Sequence, residues 1–184
     1  MPRLPMPSDT TGFSEETRAA MRHILKTRTT IPPPSSYLTY AGKAGALLSD
    51  LVEHLRYHTS LTDAETEIAV CTAVRAADLD YIWDAHVKLG LKAGVREQAI
   101  HAIDTFGSLD KLTADEALII RYGRELLEAR KVSDETFDAV RARWGVKGLL
   151  ELTAVMGAYT MNAAILRAVD HRPGPGARHL TPRK

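Results

Sequence analysis

The sequence predicts an all-α fold built as one helical domain. Apolar residues recur at three- and four-residue spacing, and no useful length of chain alternates with the period of two that a half-buried strand needs. Two pairs, Thr62 with Glu65 and Thr113 with Glu116, have the capping-box spacing that is typical of helix starts. The 184 residues, 45% of them hydrophobic, suffice for one sizeable core and leave little room for a second domain.

The N-terminal part of the domain contains a helix, an extended stretch and two shorter helices. A helix is predicted over 14–26, because two glutamates follow the cap Ser14 and suit the positive end of the helix dipole. The proline run at 31–34 predicts extended backbone, since proline lacks the amide hydrogen that a helix interior requires. Shorter helices, rich in small residues, are expected over 37–48 and 51–58.

The middle of the chain has the clearest helix boundaries. The Thr62 capping box predicts a helix over 63–77, and a short connection leads to a second helix over 79–93. Gly94 is a natural left-handed terminus for that second helix. A third helix is expected over 96–105, and the short connections predict that consecutive helices lie side by side.

Three more helices are predicted in the C-terminal half. The Thr113 capping box opens a helix that runs to about Arg130. Ser133 opens another helix, which ends near Gly145. The last helix is predicted over 147–169.

Both ends of the chain are predicted to lie outside the helical domain, which spans 14–169. Residues 1–13 carry several prolines and no apolar segment of the kind found in secretory signals, so we expect a disordered segment and a cytoplasmic location. Residues 170–184 form a basic tail rich in proline and glycine, expected to be disordered or to act as an arm on a neighbouring subunit.

Charge and cysteine content exclude several classes of function. The 24 basic and 23 acidic residues give a net charge of +1, which argues against a nucleic-acid binder or a polybasic membrane-surface protein. The longest uncharged apolar run, 152–166, is too short to span a bilayer. The single cysteine, Cys71, excludes an intrachain disulfide, a cysteine-rich zinc site and a Cys-x-x-Cys redox centre. A small molecule or another protein is therefore the expected partner.

Glu67 and His86 are the candidate catalytic residues. Each falls on the apolar stripe of its predicted helix, where a hydrophobic residue would be expected. If the two side chains meet, they form a candidate general acid/base pair, because histidine titrates near neutrality. The alternative is a structural pair that holds two helices in register through a buried hydrogen bond.

Other polar residues are weaker candidates. Tyr81 and Trp83 could line a substrate pocket near His86, or pack at the rim of the core. His54 and His58 are spaced as a metal-binding pair, but solvent exposure is the favoured interpretation and no metal site is predicted. Cys71 is expected to be a buried, inert small residue.

The last predicted helix is apolar on more than one face. Leu149, Val155, Tyr159 and Ile165 cover different sides of it, so we expect burial both in the core and at the interface of a homo-oligomer. The alternative is the central helix of a monomeric bundle.

The segment from Leu61-Thr62 through Glu67 and Tyr81-Ile82-Trp83-Asp84-Ala85-His86 to Gly94-Val95 resembles the carboxymuconolactone decarboxylase family. That family shares its helical fold with the alkylhydroperoxidase D proteins, and the resemblance covers 37–169. It implies an alkylhydroperoxidase D-like helical bundle that assembles as trimers or hexamers. Glu67 and His86 carry over without substitution.

Two positions depart from the patterns of these relatives. The redox branch has Cys-x-x-Cys and then a His after three intervening residues, and the cysteine positions here are Leu79 and Ile82. The decarboxylase branch commonly has a Glu where Ile82 stands. A peroxidase of the Cys-x-x-Cys type is therefore not expected.

The leading hypothesis is a cofactor-independent enzyme that transfers a proton to or from a small lactone or organic acid, including decarboxylation. His86 would donate or accept the proton, Glu67 would set its tautomer or act as base, and Tyr81 and Trp83 would shape the pocket. One alternative is a non-catalytic oligomer that binds a small ligand at a degraded site. Another is a divergent peroxidase that uses Cys71.

Overall fold

The computed structural model describes residues 2–7 and 12–183 and confirms the predicted all-α class. In these residues the chain forms a short 3₁₀ turn (Thr39–Ala41), a π-helical turn (Glu125–Ala129), no strand, and eight α-helices: α1 Glu15–Ile24, α2 Pro33–Leu38, α3 Lys43–Tyr57, α4 Asp63–Ala77, α5 Asp80–Lys92, α6 Glu97–Thr105, α7 Ala114–Arg124 and α8 Asp134–Ala168.

Helix α4 lies at the centre of the bundle. It begins at the predicted capping box, in which Thr62 accepts from the Glu65 amide while the Glu65 carboxylate accepts from the Thr62 amide. Every residue from 66 to 75 is buried, because α3, α5, α6, α7 and α8 all pack against this helix. A helix covered on so many sides has no solvated face, so its polar side chains must find partners inside the protein.

Helix α8 supplies much of the rest of the core. Leu152, Val155 and Met156 are fully buried, and Gly145 interrupts the helix with a φ of 69°. That kink lies where the sequence separates a helix ending near Gly145 from one over 147–169. In the described part of the chain, α8 is the one helix long and apolar enough to cross a bilayer, and 50% of its most apolar window is buried within the fold.

The structure corrects the predicted boundaries before α4. Helix α2 begins at Pro33, so the prediction of extended backbone throughout 31–34 was wrong. Proline is well tolerated there because the first amide of a helix has no partner within the helix. The break between the next helices lies at Gly42, which adopts a φ of 58°, and α3 then continues unbroken through 49–50. The predicted helices over 37–48 and 51–58 were therefore wrong.

The basic tail differs from the disordered segment or intersubunit arm that the sequence predicted. Its backbone and side chains bind the same chain: the Leu180 amide donates to Asp80 at 2.8 Å, and the Thr181 amide donates to Asp104 at 2.8 Å. At the other end, the Arg3 amide donates to the Val169 carbonyl at 2.7 Å. For the predicted disordered segment 1–13, residues 1 and 8–11 lie outside the described residues.

Gly123 on α7 allows three helices to approach closely, and Gly123→Ala should destabilise the fold. A Cβ there would lie 2.5 Å from Thr72 Cγ2 on α4 and 3.0 Å from Met156 Cε on α8. Such overpacking costs about 1–3 kcal/mol. Gly157→Ala is the matched control, because a Cβ at this exposed position of α8 meets nothing within 4 Å. It should be neutral or stabilising by up to about 1 kcal/mol. Chemical denaturation of both variants measures the difference, and equal stabilities would contradict this packing.

Candidate active site around Glu67 and His86

Glu67 is a buried carboxylate on the central helix. Its side chain is only 5% exposed, and it lies one turn before Cys71 on the same face of α4. An isolated carboxylate in such a position would be strongly destabilising. Both of its oxygens are instead bound, one by a histidine and the other by an arginine.

His86 binds Glu67 from the neighbouring helix α5, so the two candidate residues, which the periodicity placed only on the apolar stripes of their helices, are in contact. Its Nδ1 lies 2.6 Å from Glu67 Oε2, which makes Nδ1–H the donor to the carboxylate. The two helices are close here, because a Cβ at Gly90 would lie 3.5 Å from the Cβ of Glu67. No described residue hydrogen-bonds to Nε2, so this nitrogen remains available to accept or release a proton.

Arg56 is the second partner of Glu67 and was missed by the sequence analysis. Its guanidinium donates to Glu67 Oε1 at 2.8 Å from the last turn of α3. Burial alone would lower the pKa of Arg56, but Tyr159 and Glu67 outweigh it and raise that pKa, so the side chain remains a cation. The signal was present, since Leu48, Val52 and Arg56 share one stripe of α3 at a spacing of four residues.

Tyr159 on α8 completes the surroundings of the pair. Its ring meets the His86 ring edge to face, with centroids 4.8 Å apart at 83°. Burial raises the pKa of Tyr159, with Glu67 adding to the effect, so the phenol stays neutral and can donate a hydrogen bond. The sequence analysis placed Tyr159 only in the apolar set of the last helix.

A cleft of about 250 Å³ gives solvent access to Glu67. The cleft is lined by Arg56, Tyr57, Asp63, Thr66, Glu67, Leu89, Lys92 and Ala93. The hydroxyl of Thr66 is buried there without a hydrogen-bond partner among the described residues. His86 does not belong to the lining and lies behind Glu67. The carboxylate is therefore the group that a molecule in the cleft would meet first.

Tyr81 and Trp83 lie away from this cleft. Tyr81 packs edge to face on His171, with ring centroids 4.5 Å apart, and burial raises its pKa. Trp83 is completely buried, and its indole N–H has no acceptor among the described residues. The structure thus brings together the two predicted catalytic residues but places neither predicted substrate-binding residue in the cleft lining.

The remaining candidates from the sequence occupy other surroundings. His54 and His58 are exposed, with ring centroids 5.9 Å apart. The described residues contain no group of three potential metal ligands. Cys71 is fully buried, and this burial, helped by the nearby Glu67, raises the pKa of its thiol well above the ordinary value. The thiolate that peroxide reduction requires is therefore disfavoured.

Cys71 should be inert toward thiol reagents in the folded protein. Ellman's reagent should leave the native chain unmodified at pH 8 and should titrate one thiol after denaturation in guanidinium chloride, because the buried thiol is neither accessible nor ionised. A Thr29→Cys variant, with a thiol at an exposed position, provides the positive control. Rapid native labelling of Cys71, or hydroperoxide consumption abolished by Cys71→Ser, would contradict an inert thiol.

The arrangement of helices is similar to that of solved structures with very different sequences. No protein-family model matches the chain, and no curated protein matches it significantly. An uncharacterized peroxidase-related protein from Silicibacter sp. TM1040 superposes with a TM-score of 0.72 at 12% identity, over 96% of this chain and 93% of that one. An alkylhydroperoxidase AhpD core protein from Ralstonia eutropha JMP134, described as uncharacterized and peroxidase-related, gives 0.73 at 13% identity, over 95% and 93%. The chain therefore has the alkylhydroperoxidase D-like helical fold.

Proposed function

We propose that this protein is an acid/base enzyme that moves a proton on a small organic acid or lactone. One observation carries the proposal: a buried carboxylate borders a cleft and is held by a histidine at 2.6 Å and an arginine at 2.8 Å. General acid/base catalysis needs a titratable group that is fixed in position and reachable by the substrate. Glu67 meets both requirements.

The three side chains have different roles in this proposal. Glu67 exchanges the proton with the substrate, because it borders the cleft. His86 stands behind it and passes the proton on through the 2.6 Å hydrogen bond. Arg56 fixes the second oxygen of Glu67. Its positive charge offsets the cost of burying the Glu67 carboxylate. Tyr159 holds the imidazole ring by its edge-to-face contact.

The cleft favours a small anionic substrate. Its volume of about 250 Å³ suits a molecule smaller than most drug-sized ligands. Two cations, Arg56 and Lys92, and two carboxylates, Asp63 and Glu67, stand in its walls. Arg56 already pairs with Glu67, so Lys92 is the cation of the lining that is left to bind a substrate carboxylate. These features, with the resemblance to the carboxymuconolactone decarboxylase family, support lactone carboxylates as the substrate class.

Decarboxylation is the specific reaction that we propose for such a substrate. Loss of carbon dioxide leaves its electron pair on the adjacent carbon, and the lactone carbonyl can delocalise that pair as an enolate-like charge. Glu67 completes the reaction by passing the Nδ1 proton of His86 to the carbon, while His86 regains a proton from solvent at Nε2. All the electrons remain within the substrate.

A panel of lactone carboxylates incubated in D₂O tests the proposal. NMR should detect carbon dioxide release and deuterium incorporation at the protonated carbon. Glu67→Gln and His86→Ala should each lower kcat by about 10²–10⁴-fold, because each removes a proton-transferring group. Glu135→Gln and His101→Ala change the same residue types at exposed positions and should leave turnover unchanged.

Circular dichroism of each variant separates a lost reaction from a lost fold. Folded Glu67→Gln and His86→Ala proteins with wild-type turnover would overturn the assignment. Binding of lactone carboxylates without turnover by the wild type would instead favour a non-catalytic ligand-binding protein.

We also propose that the protein forms a homo-oligomer through α8. Val146 is 63% exposed and Leu150 is 59% exposed, one helical turn apart, and Met161 lies farther along the same helix. Large apolar side chains arranged along one helix favour association. Sedimentation at micromolar concentration should give a multiple of 20.2 kDa, and Leu150→Glu should shift the mass toward the monomer. A monomeric wild type would defeat this proposal.

A further inference from the structure

A second cavity, of about 660 Å³, lies at the far end of α4 from the Glu67 cleft. It is open to solvent and is lined by the last turn of α4, the end of α6, α7 with the turn after it, and the C-terminal tail. Arg75, which borders it, follows Glu67 by eight residues on α4, which is about 12 Å along the helix axis. The cavity is therefore separate from the proposed active site.

Three arginines surround one aromatic ring in this cavity. The guanidinium carbons of Arg75, Arg183 and Arg124 lie 4.8, 5.0 and 5.8 Å from the centroid of the Phe106 ring. These side chains come from distant parts of the sequence, including the tail. Three like charges within this distance of one ring repel one another unless anions stand between them.

The acidic groups nearby leave one of these charges without a partner. Arg75 binds Asp78 at 2.7 Å, and Arg183 binds Glu128 at 2.8 Å. Arg124 donates only to the carbonyls of Ala102 and Gly107, and no described carboxylate pairs with it. Burial lowers the pKa of Arg124, in keeping with a charge that nothing nearby balances.

Arg75 also borders this cavity and has incomplete hydrogen bonding. Its side chain is only 3% exposed, and the Nε–H has no acceptor among the described residues. A buried donor without an acceptor destabilises the folded protein. Asp78 balances the charge of Arg75, which leaves Arg124 as the arginine of the cavity wall that no described carboxylate pairs with.

The backbone at Phe106 holds the ring in an unusual place. Phe106 has a φ of 52°, a left-handed conformation that is costly for a bulky residue, and its side chain is nevertheless 37% exposed. An aromatic residue at the end of a helix would ordinarily gain more by packing into the core. Here the ring instead forms a wall of the cavity and leaves part of its surface exposed beside the three guanidinium groups.

We propose that this cavity binds a small organic oxyanion, a carboxylate or phosphate group attached to a flat apolar body. The oxyanion lies between Arg124 and Arg183 and accepts hydrogen bonds from both. The apolar body stacks on Phe106. Arg183, on the tail, covers the ligand and exchanges its bond to Glu128 for one to the oxyanion.

Isothermal titration of the full chain in low-salt buffer tests this assignment. The probes are phenyl phosphate, benzoate, inorganic phosphate and benzyl alcohol. Phenyl phosphate or benzoate should bind most tightly, and the tighter of the two identifies the preferred oxyanion. Inorganic phosphate lacks the stacking body and benzyl alcohol lacks the charge, so both should bind more weakly. Added salt should weaken binding of the two charged aromatic probes.

Three variants separate the parts of the site. Arg124→Gln should weaken the preferred aromatic anion about tenfold or more, since a hydrogen bond to a charged group is lost. Phe106→Leu should weaken it about threefold to tenfold and leave inorganic phosphate unaffected, because only stacking is removed. Glu128→Gln should strengthen it several-fold, because the carboxylate that competes for Arg183 is gone.

Arg141→Gln is the matched control, because Arg141 also lies over a phenylalanine ring, that of Phe137 at 5.7 Å, but on an exposed helix face. It should leave all four affinities unchanged. Equal binding of benzyl alcohol and the aromatic anions would overturn the proposal, as would no binding at all. Wild-type affinity in a folded Arg124→Gln protein, or no gain in Glu128→Gln, would also overturn it. The stronger binding expected for Glu128→Gln tests the proposal even if Arg124→Gln does not fold.

Discussion

Burial of the central helix α4 is the constraint on which the rest of the structure depends. All ten residues from 66 to 75 are buried, and two of them, Glu67 and Arg75, carry side chains that are ionised in water. Each buried charge requires a partner from another part of the structure. Arg56 and His86 reach Glu67 from α3 and α5, while Asp78 reaches Arg75 from the end of α4 itself. Both candidate sites therefore begin from a charge that the core must accommodate.

The ion pair with Arg56 does not by itself explain why a glutamate stands at position 67. Replacing such a pair with well-packed apolar residues is often neutral or stabilising, so stability gives no strong reason to keep it. Glu67 also borders a cleft, where an apolar side chain would have served the packing equally well. Retaining a carboxylate, a histidine and an arginine at this one place is better explained by proton transfer than by the needs of the core.

Local signals predicted the fold and half of this site. The predicted helix over 63–77 matches α4 at both ends. The Thr62 capping box fixes the start of the helix, and the left-handed Asp78 fixes its end. Glu67 and His86 were found because each occupies the apolar stripe of a correctly placed helix. Arg56 was missed because the prediction divided α3 into two helices at 49–50. That division separated Arg56 from Leu48, which lies on the same stripe of α3 as Val52 and Arg56.

The second cavity could not be predicted in this way. Its ring of arginines joins α4, α7 and the tail, and Arg183 reaches the Arg75 carbonyl across more than a hundred residues of sequence. Periodicity reports which side of a helix is buried, but not which distant segment covers it. The composition of the tail, rich in proline, glycine and arginine, is also that of a disordered segment. Hydrogen bonds from the tail to Asp80, Asp104 and the Arg75 carbonyl show that it folds back on the chain.

Leu79 and Ile82 are the two positions that bear on thiol chemistry beside Glu67 and His86. A Cys-x-x-Cys pattern followed by three residues and His86 would have its cysteines at these positions. Here Ile82 is buried in the core and Leu79 precedes α5, so neither position offers a thiol. Cys71 does not replace them, because it is enclosed and its thiol is held in the protonated form. What remains is the relay itself, with a carboxylate rather than a sulfur atom facing the cleft. Proton transfer needs no thiol, and it is the chemistry that we propose for this pair.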